Sequence, residues 1–127
     1  MLEGLAKGYY ECGKLRTVRL YEKGRPAGKT VEYFENGKIK AEWTYVNGKR
    51  EGIVREFHEN GKIRSEWHYQ KGKPDGGAKE YFENGMLKVD GSFKEGKQYG
   101  ETRVYDENGE IQEIWRHRDG LSERKNK

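Results

Sequence analysis

Three histidines, a single cysteine and two recurring sets of carboxylates are the side chains of this chain that could perform chemistry. His58, His68 and His117 fall at unrelated places in the sequence pattern, and with Cys12 alone no nucleophile and base suggest themselves. Paired acids can share acid and base work, and acids are plentiful: Glu35, Glu59, Glu83 and Glu107 in one set, Glu42, Glu66 and Asp90 in another. Each set, however, returns at a constant interval, which is how a structural position behaves and not how a unique active site behaves. The first set is expected to support its own turn. The second is expected to alternate with Lys40, Arg64 and Lys88 in a cross-strand charge mosaic. The "NGK" segments carry glycine but lack the strand, loop and helix setting of a phosphate cradle. The expectation is a protein that is not an enzyme and has no cofactor or metal.

The elements that hold these residues announce themselves through glycine. Gly13, Gly37, Gly61, Gly85 and Gly109 form one column with a period of 24 residues; Gly24, Gly48, Gly72, Gly96 and Gly120 form a second; Gly4, Gly28, Gly52, Gly76 and Gly100 form a third. An uninterrupted period is the mark of an array in which each unit rests on its neighbours. Between the columns the residues alternate as strands do. Ile39, Ala41, Trp43 and Tyr45 are expected on one face, with Lys38, Lys40, Glu42 and Thr44 on the other. A second strand runs to the aromatic column Tyr9, Tyr33, Phe57, Tyr81 and Tyr105. "ENG" joins the two strands, and a three-residue loop with a glycine bulge, pairing Tyr33 with Ile39, is preferred over a two-residue loop pairing Phe34 with Ile39. The other connection, as in "YVNGKREG", is expected to be a longer turn; Pro26 and Pro74 sit in it at the same column.

The fold class predicted is therefore all-β, a single elongated antiparallel β-meander of repeated hairpins with roughly ten strands. The array spans 1–120, in units of roughly 4–27, 28–51, 52–75, 76–99 and 100–123, and 121–127 is a frayed basic C-terminal tail. Only 31% of the residues are hydrophobic and 38% are charged, while 13% are aromatic, so burial is expected to depend mainly on rings. The net charge of +4 is a small difference between 26 basic and 22 acidic residues dispersed along the chain, and no nucleic acid is expected as a partner. One cysteine, no secretory leader and no apolar run of membrane length lead to the expectation of a soluble, cytoplasmic protein.

"YxxGKxxG" occurs as Tyr45, Gly48, Lys49 and Gly52, again as Tyr69, Gly72, Lys73 and Gly76, and with an aromatic exchange as Phe93, Gly96, Lys97 and Gly100. This resembles the loop of a MORN repeat. Together with "YxENGKIxxEW" the chain is more similar to the MORN-variant repeat of bacterial proteins labelled as antitoxins of toxin-antitoxin systems. The resemblance implies an elongated sheet, an interaction module, and either a protein partner such as a toxin or a membrane lipid. Standard MORN repeats carry a glycine two positions after the third column, where this chain has Thr30, Val54, Ala78 and Thr102.

The candidate site is the ring-bearing face. Trp43, Trp67 and Trp115 share a column beside Tyr21, Tyr45, Tyr69 and Phe93, and these rings serve either as the core of a one-layer sheet or as the anchors of a partner. In the fourth unit Gly91 replaces the tryptophan, which predicts a notch flanked by Asp90 and Phe93; the first unit has Arg19 there. The leading expectation is a non-enzymatic, antitoxin-like or immunity-like module that occludes a protein partner. The alternative is peripheral binding to an acidic membrane surface through Lys49, Lys73 and Lys97. Two open sheet edges also predict edge-to-edge homodimers.

Overall fold

The computed structural model describes residues 2–125. All its strands belong to one antiparallel sheet that follows chain order and does not close. They are β1 (Gly4–Tyr9), β2 (Leu15–Glu22), β3 (Arg25–Tyr33), β4 (Ile39–Val46), β5 (Lys49–Arg50), β6 (Gly52–Phe57), β7 (Ile63–Gln70), β8 (Lys73–Tyr81), β9 (Leu87–Lys94), β10 (Lys97–Gln98), β11 (Gly100–Tyr105), β12 (Ile111–Arg118) and β13 (Leu121–Lys125). β5 with β6, and β10 with β11, are each one outgoing strand interrupted at a single residue, Glu51 or Tyr99. Each repeat is thus an outgoing strand, a turn and a return strand, as the period predicts.

The "ENG" turn has the expected register. Tyr33 pairs with Ile39, Phe34 N donates to Lys38 O at 2.8 Å, and Gly37 takes φ +89°, a value that a side chain would resist. It is the asparagine, not the expected glutamate, that braces this turn. Asn36, Asn60 and Asn84 accept from the backbone N–H two residues on at 2.9, 2.9 and 2.8 Å. Asn60 also donates to Glu83 O of the following repeat at 2.9 Å, so the turn acid contributes its carbonyl and the amide ties the units together.

The second connection is the tighter one, contrary to expectation. Lys23–Gly24, Asn47–Gly48, Lys71–Gly72, Glu95–Gly96 and Asp119–Gly120 each have two successive positive φ angles, near 50° and 80°, which is the two-residue type I′ turn. The third glycine column lies within the outgoing strand or at its start. Val18 pairs with Val31 and Leu20 with Ala27, so Gly28, Lys29 and Thr30 stand opposite Arg19 alone, and Gly28 turns through φ +64°. Such bulges bend the strand and let the sheet coil.

A second bulge overturns the simple alternation of the return strand. Tyr33 faces Ile39, but Glu32 faces Ala41, leaving Lys40 unpaired between them. Ile39 therefore joins Tyr33 on one face, 36% exposed, while Ala41, Trp43 and Tyr45 point to the other. The bulged cation lies near the ring beside the turn: Lys40 at 6.0 Å from Phe34, with Arg16 on Tyr10 and Lys88 on Phe82 alike.

The charge mosaic exists, with other partners than expected. Cross-strand pairing runs Glu42, Arg55, Glu66, Lys79, Asp90, Arg103 on six successive main strands, so signs alternate without a break. Arg55 Nε lies 2.8 Å from Glu66, and Lys29 Nζ 3.2 Å from Glu42; Lys40, Arg64 and Lys88 take no part in these contacts. We call this the charge face.

On the opposite, ring face, tryptophans alternate with small residues: Thr30 pairs with Trp43, and Val54, Trp67, Ala78 and Gly91 follow in one row. Among the rings of the tryptophan column only Trp43 is buried, at 7% exposure; the other buried residues among those described are Thr30, Ala41, Ser65, Ala78, Gly91 and His117, all but one of them small, while the remaining rings of the face stay half-buried. The expectation that rings supply the burial is corrected accordingly. The segment expected as a frayed tail is also ordered: Leu121–Lys125 pair with β12, and Asn126 and Lys127 lie outside the described residues.

Candidate interaction face

Between the second and third repeats the ring face opens into a hollow of about 330 Å³. Ala41 and Ser65 line its floor because the register places these small residues in one row, separated by Glu56. Trp43, Trp67 and Tyr69 wall it. Trp43 meets Tyr45 edge-on at 6.4 Å and 72°, and Trp67 packs against Phe93 at 4.9 Å and 31°. These contacts pack Trp43 and Trp67 against neighbouring rings, while Trp67 and Tyr69 stay half-exposed.

Arg50 enters the same hollow, standing at a position taken by Pro26 and Pro74 in neighbouring repeats. It pairs with Tyr45 across the type I′ turn, and its guanidinium lies 4.5 Å from the Trp43 ring and 5.8 Å from Tyr69. Val54, Glu32 and Glu56 complete the lining. With Glu80 the two glutamates form a row interleaved with Ala41 and Ser65, and among the described residues none of the three enters an ion pair. Glu56 accepts only the Ser65 hydroxyl, at 3.2 Å. Trp43 Nε1 is buried with no acceptor. Neither the glutamate row nor Arg50 was singled out from the sequence, where the 24-residue recurrence of Glu32, Glu56 and Glu80 was the available signal.

The structure unites Trp43, Tyr45, Trp67, Tyr69 and Phe93 on one face. Asp90 does not join them: it lies in the charge row between Lys79 and Arg103, on the reverse face. Gly91 is buried, and a Cβ there would stand 2.9 Å from Thr102 Oγ1, so Thr102 narrows the expected notch at its base. Trp115 lies on the same face, opposite Thr102 and beyond Gly91 from the other rings, its indole N–H donating to Glu113 at 2.8 Å.

Lys49, Lys73 and Lys97 follow successive type I′ turns along one rim. The stems of Lys49 and Lys73 lie over the next turn's Gly72 and Gly96, where a Cβ would come within 3.5 and 3.6 Å of them. Carboxylates share the rim: Glu51 accepts from Lys71 N and Asp75 from Glu95 N, both at 3.0 Å. The histidines serve the scaffold. His58 Nε2 donates to Tyr81 O at 2.9 Å, and His117 lies between Thr102 Oγ1 at 2.8 Å and Ser122 Oγ at 2.7 Å. Among the described residues no three of His, Cys, Asp and Glu gather as a metal group would require.

The family model described as MORN repeat variant matches residues 27–47, 50–71, 74–95 and 98–119. No curated protein matches the chain. Among solved structures, the crystal structure of accessory secretory protein 1, 2 and 3 in Streptococcus pneumoniae aligns over 94% of this chain and 18% of that one, at 16% identity and a TM-score of 0.24. This chain thus spans less than a fifth of that protein's length.

Proposed function

This chain belongs to the MORN repeat variant family, and from that premise we propose that it binds a protein partner across the ring face of its second and third repeats, as an antitoxin-like or immunity-like module that occludes the partner. A non-catalytic repeat fold of this kind is consistent with an interaction module. The observation that carries the reading is the hollow itself, where half-exposed Trp67, packed on Phe93, and half-exposed Tyr69 stand beside a buried Trp43. Rigid rings of this sort are the usual anchors of interfaces. The antitoxin identity and a toxin as partner rest on the resemblance of the repeats. A reducing, cytoplasmic setting belongs to the same proposal, with Cys12 exposed and unpaired.

A second reading has one observation in its favour: the aligned lysines of the turn rim would meet an acidic membrane surface edge-on. The interleaved Glu51, Asp75 and Glu95 weaken that rim. The test is to capture partners from the native cell, then titrate the purified partner against wild type and Trp67→Ala, with circular dichroism confirming the variant's fold. Binding is expected to weaken about tenfold or more in Trp67→Ala and to change little between low and moderate salt. Unchanged affinity in the variant would remove the ring face from the function. Flotation with anionic vesicles at low salt, reversed at moderate salt and lost when Lys49, Lys73 and Lys97 are replaced by Gln, would establish the membrane reading instead.

A further inference from the structure

The two faces handle charge in opposite ways. On the charge face every acid of the central row has a cation as its cross-strand neighbour: Glu42, Arg55, Glu66, Lys79, Asp90, Arg103. On the ring face Glu32, Glu56 and Glu80 alternate with Ala41 and Ser65, and no cation lies in their row. Cations line the neighbouring surface, Arg16 and Arg19 with Glu32, and Arg64 and Lys88 with Glu80, yet among the described residues none of the three carboxylates enters an ion pair, which leaves them able to take positive charge from a partner.

The hollow also carries its own demonstration of what fits. Arg50 lays its guanidinium over Trp43 at 4.5 Å and near Tyr69 at 5.8 Å, yet it forms no salt bridge with Glu32 or Glu56 among the described residues. A planar cation over indole is favourable, more so as water is excluded. Trp43, which lines the hollow and is only 7% exposed, also has a buried indole N–H that lacks an acceptor among the described residues. Both groups are left half-served by the chain itself: the carboxylates want a cation and the indole wants an acceptor.

We propose that the ring face receives a basic, extended segment of the protein partner, laid across the strands, with one arginine or lysine entering at each repeat against Glu32, Glu56 and Glu80. This rests on the protein-binding reading above and specifies its partner. Repeat spacing sets the period of the segment. Successive glutamates of the row are two strands apart, about 9.6 Å at the usual strand separation of about 4.8 Å. A polyproline II chain advances about 3.1 Å per residue and turns once every three residues, so cations at every third position recur every ~9.3 Å on one side. A partner guanidinium reaching Glu56 meets Trp43 and Trp67 as well and displaces Arg50, which occupies that place in the free protein.

The probe is a fluorescein-labelled peptide of four Pro-Pro-Arg triplets, followed by anisotropy at low salt. The controls are a peptide of the same composition with its arginines contiguous, and a Pro-Pro-Glu analogue. The spaced basic peptide is expected to bind, the contiguous one several-fold more weakly, and the acidic one not at all. Glu56→Gln, at a side chain whose one hydrogen bond among the described residues comes from the Ser65 hydroxyl, is expected to weaken binding about fivefold, and Arg50→Ala to strengthen it about threefold by vacating the hollow. Equal binding of spaced and contiguous peptides overturns the spacing argument and with it the proposal. Weaker binding in Arg50→Ala, or no change in Glu56→Gln, overturns it too. Failure of the peptide, alongside a captured protein partner that still depends on Trp67, overturns this inference and leaves the protein-binding reading standing.

Discussion

Gly91 shows how one position can be dictated by its neighbour across the sheet. Where three of the other repeats carry tryptophan, Thr102 of the neighbouring β11 approaches so closely that a Cβ at 91 would stand 2.9 Å from its hydroxyl and 3.4 Å from its methyl. That hydroxyl cannot rotate away freely, since it is hydrogen-bonded to His117 Nε2 at 2.8 Å. Gly91 has an ordinary backbone conformation, so alanine would be resisted by crowding alone. Gly91→Ala is therefore expected to cost about 1–3 kcal/mol, the usual range for overpacking. In a Thr102→Ala background most of that cost should vanish, because only the Cβ at 3.6 Å remains opposite. Urea denaturation of the two single variants and the double variant measures the coupling. Additive effects would mean that something other than Thr102 makes position 91 small.

At the scale of the element, β13 is the strand whose docking depends most openly on charge. Lys125 Nζ lies 2.9 Å from Glu101, with Arg103 and Arg116 at 3.4 and 3.7 Å, and the bond and charge of Lys125 lead in holding the Glu101 carboxyl below its ordinary value of 4.5. A depressed carboxylate favours the docked state fully above the undocked value and loses that contribution as pH falls through the lower docked value. β13 is thus expected to detach first on acidification below about 4.5, and Glu101→Gln to loosen it already at neutral pH. Amide resonances of Leu121–Lys125 moving to unstructured positions would report both; an unmoved Glu101→Gln spectrum would assign the docking to the backbone pairs and to the His117–Ser122 contact at 2.7 Å. This strand was not legible in the sequence, where "LSERKNK" shows charge but not the partner that absorbs it. The same holds for the bulge at Lys40, since a register shift belongs to two strands jointly and alternation within one cannot reveal it. By contrast the "ENG" register was legible, because Gly37 and the aromatic column are local. The rings of the candidate face were legible through their period; its glutamate row and Arg50 were not, because polar residues between strand rings read as solvent-facing until pairing shows which face they share.

For the whole molecule, the constant period means that a repeat can be removed without changing any neighbour relation. Deleting residues 52–75 joins Glu51 to Gly76, so each column is met by its own kind. Lys79 would then stand opposite Glu42, where Arg55 stands now, and the charge row would continue as Glu42, Lys79, Asp90, Arg103 with its alternation intact. Ala78 would likewise take the place of Val54 beside Trp43 in the ring-face row. Since each unit of such an array contacts only its neighbours, stability is close to a sum of unit and interface terms, and one of each is lost. The shortened chain is expected to fold cooperatively, with its urea m-value lower by about one fifth, in proportion to the surface no longer exposed on unfolding. Deleting 23 residues, 52–74, makes the contrast: a one-residue slip sends every later side chain to the opposite face, placing the charge row among the rings. That chain is expected to aggregate or remain unfolded by circular dichroism. If both deletions folded equally well, the period would not be what holds the sheet in register. The 24-residue deletion also removes Trp67, Tyr69 and Glu56 together, so it should keep the fold while abolishing binding at the hollow. Fold and function are thereby separated, since every repeat can build the sheet while this hollow belongs to the junction of the second and third.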